Sequence, residues 1–168
     1  MIKNINFLFV TFFGIGTIRY APGTVTSLIT TMFLFSAFHI LNFSYTFILI
    51  TLIAIFLYAF LAIAHYIKDE SDKDPKEIVI DEVIGQSIPI YLYEVAHGTS
   101  KDSKEVVLFY IYIFILFRFF DIKKPFPINF FDEKFKNSFG VIMDDVIAGF
   151  YVVITLIIFM VIKSKLFT

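Results

Sequence analysis

Three groups of carboxylates stand inside strongly apolar sequence: Asp81 and Glu82 in Ile78-Val-Ile-Asp-Glu-Val-Ile-Gly85, Asp121 in Arg118-Phe-Phe-Asp-Ile-Lys-Lys124, and Asp144 and Asp145 in Gly140-Val-Ile-Met-Asp-Asp-Val-Ile-Ala-Gly149. A lone carboxylate costs about 2.5–3.5 kcal/mol at the centre of a hydrocarbon layer, so acids kept there mark function. Hard divalent cations such as Mg²⁺ take oxygen ligands, usually a few carboxylates with water and substrate phosphate. These acids offer that chemistry without any His or Cys. Adjacent helical residues point about 100° apart, so each acidic pair would line a groove between two partner helices. Gly85 follows Asp81 by four and Gly149 follows Asp145 by four, which puts a small residue one turn below each acid, where a partner helix can approach closely.

Arg118, Asp121 and Lys124 recur at i, i+3 spacing and would stack on one helical face, with the stack ending at Lys124 because Pro125 follows it. Cations beside a carboxylate suit a phosphate site, where metal and basic groups share the charge of the transferred phosphoryl group. The competing reading is an Arg-Asp-Lys ion-pair network that fixes a helix end. Gly14-Ile-Gly16 and Pro22-Gly23-Thr24 flank a short connection. Their N–H groups could form an anion-binding nest at a helix start, with Gly23 and Thr24 as substrate contacts. The alternative there is a Gly/Pro turn capped by Thr24 or Thr26. His39, His65 and His97 fall in no metal-ligand spacing and read as structural or interfacial.

The elements that must position these residues are read from hydropathy. Of the 168 residues 58% are hydrophobic and the mean hydropathy is +0.83, well above the usage of soluble domains, so the chain is expected in or on a membrane. With 14 basic and 15 acidic residues the formal net charge is −1, which leaves no basic excess for nucleic acid. The absence of cysteine excludes disulfides, thiolate metal sites and a cysteine nucleophile.

Residues 25–43 and 45–66 lack Asp, Glu, Lys and Arg, and each approaches the ~20 residues a membrane-crossing helix needs. They read as a spanning helical hairpin. Its tip is free of Lys and Arg, while Lys3 and Arg19 precede it and Lys68, Lys73 and Lys76 follow it, so both hairpin ends are expected on the cytoplasmic side. A charged loop then leads to the helix of Asp81 and Glu82. Residues 88–96 are too short to span, residues 106–117 suit a buried or interfacial helix, and residues 146–162 would span marginally. Length and composition give a single all-α domain over residues 1–168, a membrane-embedded bundle with a cytoplasm-facing acidic site.

Taken in order, Gly14-Ile-Gly-Thr-Ile-Arg-Tyr-Ala-Pro-Gly-Thr24, Ile78-Val-Ile-Asp-Glu82 with Gly85, Phe117-Arg-Phe-Phe-Asp-Ile-Lys-Lys-Pro-Phe-Pro-Ile128 and Gly140 to Gly149 resemble the phosphatidylglycerophosphatase A family of bacteria. The resemblance runs from about Phe12 to Gly149. It departs from the family pattern at Arg19, where proline is usual, and at Thr26, where glycine is common. It implies a Mg²⁺-dependent inner-membrane phosphatase that converts phosphatidylglycerophosphate to phosphatidylglycerol on an all-helical scaffold, facing the cytoplasm. It further implies Asp81, Glu82, Asp121, Asp144 and Asp145 as metal or catalytic carboxylates, and Arg118 and Lys124 as phosphate contacts. A phosphatase for another lipid phosphate, such as phosphatidic acid, fits the same residues. A lipid phosphotransferase does not, since D-x-x-D-G-x-x-A-R is absent. From another class, a small divalent-cation carrier would also set carboxylates among membrane helices, and it predicts metal transport without phosphate release.

Overall fold

The computed structural model describes residues 2–68, 75–98 and 103–166, and the part of the charged loop that holds Lys73 lies outside the described residues. Among the described residues there are seven α-helices and no strand: α1 (Ile2–Val10), a 3-10 turn (Ile15–Thr17), α2 (Pro22–His39), α3 (Tyr45–Tyr66), α4 (Ile80–His97), α5 (Ser103–Lys123), α6 (Ile128–Lys134) and α7 (Ser138–Leu166).

Local chemistry sets most of these boundaries. Pro22 opens α2, where its fixed φ suits a first turn and its missing N–H costs no hydrogen bond. Neither Thr24 nor Thr26 caps that helix; the capping position is Ala21, in a left-handed conformation and without a side-chain bond. Ser44 caps α3 by accepting from the Phe47 amide at 3.2 Å. α5 stops at Lys123, and Lys124 turns into left-handed backbone with φ 42° ahead of Pro125. The Arg118-Asp121-Lys124 stack therefore ends where the proline places it.

α4 is the central element. α2 runs beside it in the same direction, with Gly23 against Glu82 at one end and His39 against Glu94 at the other. α7 crosses it at the two glycines spaced four after the acids. A Cβ on Gly85 would sit 2.6 Å from the Asp145 carbonyl oxygen, and one on Gly149 would sit 2.6 Å from the Gly85 carbonyl oxygen. Both are closer than side-chain carbons approach backbone, so the crossing depends on the missing side chains. The fully buried Phe117 of α5 also packs at Gly85, where one of its ring carbons would lie 2.8 Å from an added Cβ.

Among the described residues two helices are long and apolar enough to cross a membrane, α3 and the stretch Ser138–Lys165 of α7. The hairpin expected over residues 25–43 and 45–66 is met in its second limb only. α2 has 18 residues and buries Thr26, Ser27, Thr30 and Thr31, which lowers its apolar character. α7 begins eight residues before the apolar segment at 146–162 and so carries Asp144 and Asp145 in its second turn. α5 buries Val106, Tyr110, Ile113 and Phe117, while Leu108, Ile115 and Ile122 on its other face are exposed.

A buried polar cluster holds the end of the bundle away from the acids. His39 Nε2 lies 3.0 Å from Glu94 Oε1, and the Tyr110 hydroxyl donates to the same oxygen at 2.9 Å. Glu94 Oε2 is buried with no hydrogen-bond partner. Replacing His39 by Ala removes one of the two contacts to a carboxylate that is 1% exposed, at an expected cost of about 1–3 kcal/mol. The measurement is the thermal unfolding midpoint, which should fall by about 2–10 °C while turnover at 25 °C stays within about threefold of wild type. An unchanged midpoint would rule out this stabilising role.

Candidate active site

Four helix ends meet at one end of the bundle. The N-terminus of α4 supplies Asp81 and Glu82 from its first turn, where the helix dipole favours carboxylates. α7 supplies Asp144 and Asp145, the last turn of α5 supplies Arg118 and Asp121, and the start of α2 supplies Gly23 and Thr24. Together with Lys124, just past α5, they line one cleft of about 390 Å³. All nine residues singled out in the sequence thus come to a single place. Gly14 and Gly16 do not line it. Gly16 packs instead against the Glu77 backbone, where a Cβ would collide with the Glu77 carbonyl.

The five carboxylates sort into two kinds. One oxygen each from Asp81, Glu82 and Asp145 lies within 4.8 Å of the other two. Asp121 and Asp144 instead pair with cations, Arg118 Nη1 to Asp121 Oδ2 at 2.6 Å and Lys124 Nζ to Asp144 Oδ2 at 2.7 Å. Arg118 also stands 3.9 Å from Glu82 Oε1 and donates to Ser27 Oγ at 3.3 Å. The Asp145 amide donates to Asp144 Oδ1 at 2.9 Å.

Glu82 Oε2 and Asp145 Oδ2 are buried and have no hydrogen-bond partner among the described residues. Burial pushes the Glu82 carboxyl up to about 7; the Asp121 charge adds to the rise, and the hydrogen bond with Asp81 and the Arg118 charge oppose it. Carboxylates that crowd together in a dry site repel one another unless a proton or a cation lies between them. Three oxygen donors of this kind fit a hard divalent ion.

Packing holds the arrangement in place. The absent Gly23 side chain is what allows α2 to lie against the Glu82 carboxyl, since a Cβ there would clash with Oε1. The loop after Lys124 is fastened when the Tyr151 hydroxyl of α7 donates to the Phe126 carbonyl at 2.6 Å, and Ile128 is fully buried. Sequence reasoning missed two residues here. Ser27, one turn past Gly23, contacts Arg118, and Lys76 lines the cleft. The i, i+4 relation to Gly23 signals the first, and the position just before Ile78-Val-Ile-Asp81 signals the second.

An acidic cluster flanked by paired cations lies at one end of an all-helical bundle that has, among the described residues, two helices apolar enough to cross a bilayer, and such a donor set suits the chemistry of phosphate esters. The comparisons with known proteins narrow the class. Over residues 8–160 the chain matches the family described as phosphatidylglycerophosphatase A, and it belongs to that family. A phosphatidylglycerophosphatase A of Haemophilus influenzae is 37% identical over 142 residues, covering 84% of this chain and 80% of that protein. The phosphatidylglycerophosphatase A of Escherichia coli is 30% identical over 137 residues, 82% of this chain and 73% of that one. A Bacteroides thetaiotaomicron protein, provisionally named a phosphatidylinositol-3-phosphatase, is 34% identical over 142 residues, 83% of each. No solved structure matches the chain significantly. The chain is a lipid phosphatase, and the cation-carrier reading gives way to that.

Proposed function

We propose that the chain removes the terminal phosphate of phosphatidylglycerophosphate by Mg²⁺-dependent hydrolysis, giving phosphatidylglycerol and inorganic phosphate at the cytoplasmic face of a bacterial inner membrane. The observation that carries this reading is the convergence of Asp81, Glu82 and Asp145 within 4.8 Å, beside the Arg118–Asp121 and Lys124–Asp144 pairs. Placement at the cytoplasmic face draws support from Arg19, Lys68, Lys76, Lys123, Lys134 and Lys136, which flank the helix ends that form the cleft, against Lys104, Lys163 and Lys165 at the other end.

In this reading Asp81, Glu82 and Asp145 hold the cation. The chemistry a bound Mg²⁺ supplies is Lewis acidity toward a phosphoryl oxygen and a lower pKa for coordinated water. Arg118 and Lys124 face the phosphoryl oxygens, which gather charge as the bond to the glycerol oxygen lengthens. Asp121 and Asp144 hold those cations in place, so their long side chains lose little freedom when substrate arrives. A bond from phosphorus to the water oxygen forms, the bond to the glycerol oxygen breaks, and the proton released by water ends on the alcohol.

Phosphate release by the detergent-purified protein, with Mg²⁺ or EDTA, tests the reading on phosphatidylglycerophosphate, phosphatidic acid and phosphatidylinositol-3-phosphate. EDTA-sensitive release that is fastest on phosphatidylglycerophosphate is the expected result. Faster release from the inositol lipid would favour a second reading, which rests on the name of the Bacteroides relative. Both lipids carry a phosphomonoester on a polyol that a phosphodiester joins to diacylglycerol. Absence of release from all three would discard the phosphatase.

Metal binding has its own signature. A ligand at a hundred times its dissociation constant stabilises the native state by about 2.7 kcal/mol, and about 2–4 °C of midpoint accompanies each kcal/mol at this size. Saturating Mg²⁺ should raise the unfolding midpoint by about 5–10 °C in wild type, and by under about 2 °C in Asp145→Asn. Equal shifts in the two proteins would place the cation elsewhere.

A further inference from the structure

Three cationic side chains line the cleft, and two are already engaged: Arg118 with Asp121 at 2.6 Å and Lys124 with Asp144 at 2.7 Å. The third, Lys76, is exposed and has no carboxylate within ion-pair reach among the described residues. Its neighbour Glu77 is directed elsewhere, accepting a hydrogen bond from the Tyr66 hydroxyl at 2.5 Å. The backbone carrying Lys76 is fixed on both sides. The Ile78 amide donates to the Pro75 carbonyl at 2.9 Å, the Val79 amide donates to the Val10 carbonyl at 2.9 Å, and Gly16 packs on the Glu77 carbonyl. Lys76 is thus a cation with no carboxylate partner among the described residues, on an anchored segment at the rim of an acidic cleft.

That arrangement meets a particular chemical problem, and the inference rests on the phosphatase reading above. Phosphatidylglycerophosphate presents two anionic groups, the terminal phosphomonoester and the phosphodiester nearer the acyl chains. The inner residues already account for the monoester. A cleft of about 390 Å³ is within the range of ~300–1,000 Å³ that holds whole small-molecule ligands, so it admits a head group and not the reacting phosphate alone. We propose that Lys76 binds the bridging phosphodiester of the substrate and thereby selects a lipid with two phosphates over one, such as phosphatidic acid, with a single phosphomonoester. Lys76 is a specificity residue in this scheme, separate from the reacting centre.

The test compares wild type, Lys76→Ala and Lys76→Arg on phosphatidylglycerophosphate and on phosphatidic acid with the same acyl chains. A lost charge-assisted contact should lower kcat/KM of Lys76→Ala for phosphatidylglycerophosphate about tenfold, mostly through KM. The loss on phosphatidic acid should stay under about threefold, with Lys76→Arg restoring most of the selectivity. Losses of the same size on both lipids, or unchanged selectivity, would overturn the assignment. Binding separates this outcome from the fate of the phosphatase reading. With Asp145→Asn present to suppress turnover, Lys76→Ala should bind vesicles doped with phosphatidylglycerophosphate about tenfold more weakly, and vesicles doped with phosphatidic acid unchanged. If wild type releases no phosphate while this preference persists, hydrolysis is refuted and recognition by Lys76 stands. If the preference is absent, Lys76 has no such role whatever the turnover.

Discussion

Asp145→Asn should lower phosphate release from phosphatidylglycerophosphate by at least about a hundredfold, the scale on which removing one charge-stabilising group acts. Asp145 is 3% exposed, is grouped with Asp81 and Glu82, and has an Oδ2 with no protein partner. The amide keeps the shape of the side chain and removes the charge, so the loss reports on electrostatics and not on packing. Asp144→Asn should cost less in cation affinity, because Asp144 faces Lys124 at 2.7 Å and stands outside the three-carboxylate group. Turnover assays across a Mg²⁺ series give the answer. If Asp145→Asn keeps its rate within threefold of wild type, the carboxylate has no part in the reaction.

Gly85→Ala is the second large effect. The new Cβ would meet the Asp145 carbonyl oxygen at 2.6 Å and a ring carbon of Phe117 at 2.8 Å. Neither neighbour has room to retreat, because Phe117 is fully buried and the carbonyl belongs to the backbone of α7. Overpacking of this kind costs about 1–3 kcal/mol. Here it also forces α4 from α7, and with them Asp81 and Glu82 from Asp145. Displacing a catalytic group by about 1 Å can cost about a hundredfold in rate, so activity should fall by more than the loss of folded protein explains. Normalising turnover to the folded fraction, measured by size-exclusion chromatography, isolates that part. A normalised rate equal to wild type would mean that the crossing does not set the site.

The residues that gather in the cleft were legible because charge in an apolar chain is expensive. Each acid, and Arg118 with it, stood out against residues that would not tolerate it without a purpose. The α4–α7 crossing was legible too, since two glycines at the same offset from two acidic pairs state how close the helices come. Other features had no local signal. The division of five carboxylates into a cluster of three and two ion pairs depends on helix rotation, which sequence spacing leaves open. Glu94 finds His39 across 55 positions of sequence, and neither residue carries a pattern that points to the other. The first limb of the hairpin looked spanning because it lacks charge. Its buried threonines, Thr26, Thr30 and Thr31, make it less apolar than α3 and α7.

Asp81 and Glu82 leave the ribosome well before Asp145, which lies on α7. Because domains form progressively during synthesis, the carboxylate cluster has two members in place before its third exists. A nascent chain halted between α6 and α7 holds six of the seven helices among the described residues yet lacks Asp145. On the proposed reading, competence therefore waits for α7 to dock on Gly85.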